Sequence, residues 1–272
     1  MSVYFQGVNQ RGFGTYPLTG KDGIATIETA IETGYRAIDT AQMYGNEAET
    51  GQALRNAGLP RDAFCVTTKV HPDNFSQTRF LPSVERSLKD LGLAQVDVLL
   101  LHWPPEDGVV AASLKLLQAA HDRGLARHIG VSNYTSAMLR TALDTLATPL
   151  STNQIEFHPL LDQSRLLAAA SAMGVPISSY CSVARGAVFD HPLFADIGAP
   201  HGKSAAQVTL RWILQKGVSM NTMSTKPANI RANFDIMDFA LSNVDMARID
   251  ALGRTGHRIV TSDKVVWAPE WD

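Results

Sequence analysis

The sequence predicts an α/β fold: a single (β/α)8 TIM barrel domain spanning residues 1–272. Three observations carry this expectation. Short apolar runs recur eight times with helical segments between them. The runs are apolar almost throughout, as strands covered on both faces are. No composition break interrupts the chain, so one core serves all of it. Apolar residues are 45% and charged residues 18% of the chain, which suffices for a large core.

The strands are read in order as GFGTY (12–16), YRAIDT (35–40), FCVTTK (64–69), VDVLLLH (96–102), RHIGVS (127–132), STNQIEF (151–157), VPISSY (175–180) and VSMNTMS (218–224). The first helix, 21–33, places Ile24, Ile27, Ala30 and Ile31 on one stripe. Segments 47–57, 78–91, 111–124, 136–147, 163–173, 204–216 and 228–240 behave alike. Several stop at a glycine, as at Gly34, Gly92 and Gly217, where the left-handed closing turn favours that residue. VYFQGVNQR, ahead of the first strand, reads as an N-terminal β-hairpin arm that closes the barrel floor. The final stretch, GHRIVTSDKVVWAPEWD, has no helical period and is expected to lie as a C-terminal loop over the active site, with Trp267 or Trp271 shaping access.

Several function classes are disfavoured. The formal charge is 24 − 26 = −2, so no strong field attracts nucleic acid or an anionic membrane. No apolar run approaches the roughly 20 residues of a bilayer span. The opening residues lack the order of a secretory signal, and two cysteines, Cys65 and Cys181, make no disulfide framework; a cytoplasmic location is expected. The histidines show no metal-ligand spacing, so no metal is expected. No apolar surface stripe appears, which makes a monomer the expected state.

In such a barrel, function gathers where strands run into the following loops. Asp39, Lys69 and His102 end the second, third and fourth strands, and Tyr44 follows Asp39 by one short loop. Taken singly, each has an ordinary reading: a loop cap, a solvated strand end, a core histidine, a surface aromatic. Their joint placement favours catalysis. A tyrosine has a pKa near 10, and a neighbouring ammonium stabilises its phenolate; lowering that pKa by about 3 units takes about 4 kcal/mol. A buried lysine in turn needs a counter-charge, which Asp39 supplies. Tyr44 then protonates an acceptor, and His102 donates a second hydrogen bond to it. Two donors around one developing oxyanion point to a carbonyl oxygen.

GYRAIDTAQMYGNE, VTTKV, LLLHWP, GVSNY and NQIEFHP together resemble the signature stretches of the aldo-keto reductases, over nearly the whole chain. The ending VVWAPEWD is similar to that of bacterial 2,5-diketo-gluconic acid reductases. The resemblance implies a catalytic tetrad of Asp39, Tyr44, Lys69 and His102. It also implies a nicotinamide cofactor whose carboxamide meets Ser132, Asn133 and Gln154, whose ring stacks on Tyr180, and which Gly14, Thr15 and Asp39 border. The amide and hydroxyl side chains supply partners for a carboxamide's one acceptor and two donors. For the adenosine phosphate, Ser224, Thr225, Lys226, Asn229 and Asn233 are the candidates; Met223 and Asn229 stand where relatives commonly carry Lys and Arg. A helix start with hydroxyls and one ammonium still binds phosphate, which favours NADPH, with NADH the alternative. Only Gly12-x-Gly14 occurs, without a third glycine, which excludes a Rossmann domain but not the cofactor. The substrate pocket is expected around Tyr16, His71, Trp103 and Trp267, where His71 adds polarity suited to a sugar acid or small hydroxylated aldehyde. The implied function is NAD(P)H-dependent reduction of aldehydes, ketones or keto sugar acids. A nicotinamide-binding regulatory module without turnover is the alternative.

Overall fold

The computed structural model describes residues 2–272. Eight parallel strands close into a barrel in chain order: β1 (Arg11–Gly14), β2 (Ala37–Asp39), β3 (Cys65–Val70), β4 (Val96–Leu101), β5 (Ala126–Ser132), β6 (Leu150–Glu156), β7 (Ile177–Tyr180) and β8 (Ser219–Thr222). β1 pairs with both β2 and β8, so no edge remains. The helices α1 (Gly20–Thr33), α2 (Glu47–Asn56), α3 (Phe80–Leu91), α4 (Ala111–Asp122), α5 (Ser136–Thr145) and α6 (Ser164–Ala172) follow the expected alternation. Gly92 closes α3 at φ 69°, a conformation in which any Cβ is strained.

Between α6 and the chain end the helical plan departs from expectation. α7 (Pro192–Gly198) and α10 (Asn243–Asp250) are additional, with α8 (Ala205–Gln215) and α9 (Pro227–Phe234) between them. The eighth helix does not run over 228–240. It stops at Phe234, where Asp235 leaves the helical region at ψ 74° and the Gln207 amide satisfies the carbonyls of Ala232 and Asp235. Beyond it, Ile236, Phe239 and Leu241 are buried at a spacing without helical period.

The N-terminal arm is not a β-hairpin. It forms two 3-10 turns, Val3–Phe5 and Gly7–Gln10. The Ser2 hydroxyl caps the first, and Gly7, at φ 53°, opens the second. It still closes the floor: Tyr4 is buried against Ala37, Cys65, Val98 and Leu100, with its hydroxyl on Thr67. No helix among the described residues is long and apolar enough to cross a membrane.

The C-terminal segment is tied to the barrel by Glu156 at the end of β6. Its two carboxylate oxygens accept the backbone N–H groups of Ile259 (2.6 Å) and Val260 (2.9 Å), and His158 Nε2 lies 3.0 Å from the first of them. Burial works against this charge, yet the His158 contact and the two backbone donors hold the carboxyl below the usual range.

Two stability outcomes follow from these contacts. A Cβ at Gly51 would overlap the backbone of Leu91 at the close of α3. Gly51→Val is expected to cost about 1–3 kcal/mol and to lower the thermal midpoint by about 2–4 °C per kcal/mol; an unchanged melting curve would contradict this. Glu156→Gln replaces one acceptor with a donor facing an N–H. Because the folded-state pKa of Glu156 is depressed, its charged-state contribution is present above the unfolded value near 4.5 and lost as pH falls through the lower folded value. Urea titrations should show the wild-type advantage at pH 7 shrinking below about pH 4.

Candidate active site

Asp39 ends β2, Lys69 stands one residue before the end of β3, and His102 follows β4 directly. Tyr44 is the last residue of a 3-10 turn, Gln42–Tyr44, in the loop after β2. Neighbouring strands of a parallel barrel present their ends at one rim, which brings these residues together. Lys69 is fully buried and its ammonium has three partners. It forms an ion pair with Asp39 Oδ1, donates to the Thr40 carbonyl at 3.0 Å, and donates to Tyr44 Oη at 3.1 Å. The second oxygen of Asp39 accepts from Gln154 Nε2 at 2.8 Å and from Asn221 Nδ2 at 3.4 Å. A side chain at Gly12 would fill the space of the Asn221 amide, so the glycine there serves this approach. The His102 ring meets the Tyr44 ring edge-on, 5.5 Å between centroids.

The protonation states follow from these surroundings. Burial alone would discharge Lys69, but the Asp39 carboxylate and then the Tyr44 oxygen raise its pKa above the ordinary lysine value. His102 lies well below its ordinary value, first through burial and then through the Lys69 charge, so it is a neutral imidazole with one N–H; its Nδ1 is buried without a partner. Tyr44 departs from expectation. Burial raises its pKa, and Lys69 opposes that rise without cancelling it, so the net direction is upward rather than toward neutrality. A hydroxyl in a low-dielectric setting resists ionisation by more than one neighbouring ammonium, itself partly neutralised by Asp39, returns.

The residues expected at the carboxamide end do gather. Ser132 closes β5 and its hydroxyl donates to the Gln154 carbonyl at 2.8 Å. Asn133, at φ 64°, donates to Ser132 Oγ and to the His102 carbonyl, and its amide oxygen accepts from Tyr180 Oη at 2.7 Å. Gly14 pairs in register with Asp39. The Thr15 hydroxyl, by contrast, is buried and turned toward Asn46 at 3.4 Å, and its backbone N–H and carbonyl are engaged by Asp39, Leu18 and Asn46. At the other end, Ser224 Oγ accepts the Lys226 N–H, and Thr225, Lys226 and Asn229 are exposed around the start of α9. Asn233 is buried and donates to Thr222 Oγ1, tying α9 to β8 instead of facing outward. The donor set fits a nicotinamide dinucleotide: amides and a hydroxyl at one end, an uncompensated ammonium with two hydroxyls at the other.

The mouth is aromatic and polar. Tyr16, 56% exposed, leans on Tyr44 with ring centroids 5.2 Å apart. Trp103 lies beside His102 and meets Trp271. His71 meets Trp267 edge-on at 5.0 Å, and the Arg258 guanidinium lies over Trp271 at 4.1 Å. The C-terminal segment therefore borders the site, as expected. The Asp272 carboxylate holds its far end on the N–H and hydroxyl of Ser136.

Sequence reasoning missed Asn221, Asn46 and Gln42. Asn46 is fully buried, donates to the carbonyls of Thr15 and Leu18, and accepts from Thr40. An amide next to an acid after a glycine, as in Gly45-Asn46-Glu47, is the one signal that pointed there.

The Aldo/keto reductase family model matches residues 7–254. The chain is 39% identical over 264 residues to "Methylglyoxal reductase DkgB" of Yersinia pestis, covering 96% of this chain and 98% of that protein. The Escherichia coli O157:H7 protein of the same name is 38% identical with the same coverage. A solved putative 2,5-diketo-D-gluconic acid reductase B superposes with a TM-score of 0.94 at 40% identity, covering 100% of this chain and 97% of that one. A Bombyx mori aldo-keto reductase solved in complex with NADP gives a TM-score of 0.85 at 29% identity, with 94% and 92% covered. Fold, strand-end chemistry and these likenesses agree, and the chain belongs to the aldo/keto reductase family.

Proposed function

We propose that this reductase uses NADPH to reduce small aldehydes, ketones and keto sugar acids, with Tyr44 as the general acid. The observation that carries the reading is the buried Lys69 ammonium held between Asp39 and Tyr44 Oη. Ser132, Asn133 and Gln154 would take the carboxamide, Tyr180 the nicotinamide face, and Ser224, Thr225, Lys226 and Asn229 the adenosine end. When bound, the nicotinamide supplies the hydride. Tyr44 Oη gives its proton to the carbonyl oxygen, and the Lys69 charge stabilises the phenolate left behind. His102, neutral, aims its N–H at the same oxygen. A raised Tyr44 pKa keeps the acid loaded at neutral pH.

The relatives named for methylglyoxal and 2,5-diketo-D-gluconic acid support small dicarbonyl or keto sugar acid substrates. A polar mouth containing His71 agrees with that class. NADPH over NADH is supported by Lys226 and by the relative solved with NADP. A monomer fits exposed large apolar residues that lie far apart along the chain, and a cytoplasmic location fits two free cysteines. Against a Schiff-base role, Lys69 is held charged by its carboxylate and is a poor nucleophile.

Tyr44→Phe is expected to lower kcat for carbonyl reduction by about 10²–10⁴-fold while cofactor binding, read by fluorescence quenching, persists. Because the Tyr44 pKa is raised above 10, deprotonation of this acid should not depress wild-type kcat below about pH 10. Normal turnover by the Phe variant defeats the mechanism; cofactor binding by the wild type without turnover of any carbonyl favours the regulatory module. Separately, Lys226→Ala should raise KM for NADPH by roughly tenfold and leave KM for NADH nearly unchanged, since only the former carries the extra phosphate. Equal changes for both would remove the assignment.

A further inference from the structure

The proton donor of this site stands on a loop, which Asn46 anchors on its C-terminal side toward β1. Its backbone bonds are Tyr44 N–H to the Ala41 carbonyl at 3.0 Å and Gly45 N–H to the Gln42 carbonyl at 3.3 Å. The side chains flanking Tyr44 anchor nothing: Met43 is 36% exposed, and residue 45 is an exposed glycine. Two near-ideal backbone bonds do not by themselves set a phenol oxygen to within the few tenths of an ångström that proton transfer needs.

Gln42 supplies the restraint on the side of Lys69. Its amide oxygen accepts two hydrogen bonds, from the His71 backbone N–H and from Asn74 Nδ2, each at 2.9 Å. Its amide nitrogen donates two, to Ser83 Oγ at 3.2 Å and Ser87 Oγ at 3.1 Å. Two accepted and two donated bonds exhaust what a glutamine can form. The partners lie on one neighbouring unit. His71 follows Lys69 by two residues at the end of β3, Asn74 stands in the succeeding turn, and Ser83 and Ser87 are on α3. The residue that begins the turn of Tyr44 is thereby bolted to the strand end and helix that flank Lys69.

We propose that Gln42 is a positioning residue for the general acid. It fixes the Tyr44 hydroxyl relative to the Lys69 ammonium by tying the β2 loop to the β3–α3 unit. This rests on Tyr44 acting as the acid. It touches neither substrate nor cofactor; it acts through the turn. The same amide holds the backbone of His71, whose ring packs on Trp267, so it also joins the acid to the wall of the mouth.

The test compares Gln42→Met with Gln42→Glu, using NADPH and methylglyoxal. Methionine keeps the length and loses all four bonds. Glutamate keeps the acceptor oxygen for His71 and Asn74, while its second oxygen faces two serine hydroxyls that already donate to the Phe80 and Ser83 carbonyls, so two of the four bonds are retained. Gln42→Met is expected to lower kcat about ten- to a hundredfold, with KM for NADPH changed by less than about twofold. The solvent deuterium isotope effect on kcat should grow, because transfer from Tyr44 becomes slower. Gln42→Glu, which keeps the two accepted bonds, should give a kcat clearly above that of the methionine variant. Should the Met variant fail to fold, Ser83→Ala with Ser87→Ala, which removes the two nitrogen contacts along with the serines' own bonds to the Phe80 and Ser83 carbonyls, is expected to lower kcat severalfold with the same isotope signature. Wild-type kcat in the Met variant, or in the double Ala variant where that is the form measured, overturns the proposal. So does a glutamate variant as slow as the methionine one, or a slow variant whose isotope effect is unchanged. A wild-type protein that reduces no carbonyl would instead defeat the reductase reading.

Discussion

A lysine ammonium without solvent is the constraint around which the rest of the rim is arranged. Buried at the end of β3, Lys69 would be neutral if left alone, since desolvation disfavours the charged form. Asp39 prevents that, but a carboxylate in the same surroundings carries its own desolvation cost and needs its remaining lone pairs filled. Gln154 and Asn221 fill them from β6 and β8. The Asn221 amide then requires space beside β1, which is available because residue 12 has no side chain. Strands β1, β2, β3, β6 and β8 are thus committed to one charge pair, and the phenol of Tyr44 is the single partner of the ammonium left facing the mouth.

Much of this could be read from residues alone. Strand ends with chemistry-bearing side chains are local features, and the alternation of apolar runs placed Asp39, Lys69 and His102 at a common rim without knowledge of any contact. The parts that escaped are those set by long-range partners. Gln154 reads as a carboxamide ligand, and what that reading does not show is the second task of its amide nitrogen, a bond to Asp39, 115 residues away in sequence. Asn233 reads as a cofactor contact, yet it holds β8. The N-terminal arm has a glycine and apolar residues, which suit a hairpin; the need to seat Tyr4 under the barrel selects two 3-10 turns instead. The Tyr44 ionisation was misjudged for a related reason. A sequence displays the ammonium that lowers a phenol's pKa but not the depth of burial that raises it.

β6 shows how one strand serves both halves of the proposed chemistry. Residues two apart on a strand share a face, so Gln154 and Glu156 look the same way into the barrel mouth. The first hydrogen-bonds Asp39, which sets the charge of Lys69; the second clasps Ile259 and Val260, from which the chain runs on to Trp267 and Trp271. A shift of β6 along its axis would therefore move the proton-donating group's electrostatic support and the substrate wall together. The two carboxylates also divide the labour of charge. Asp39 spends its negative charge on a cation, so the region near Tyr44 stays close to neutral. Glu156 is held by neutral backbone donors and a histidine, so its charge organises the backbone of the C-terminal segment. The charge that supports the acid and the anchorage of the wall thus share one barrel strand, while the acid itself is set by its loop.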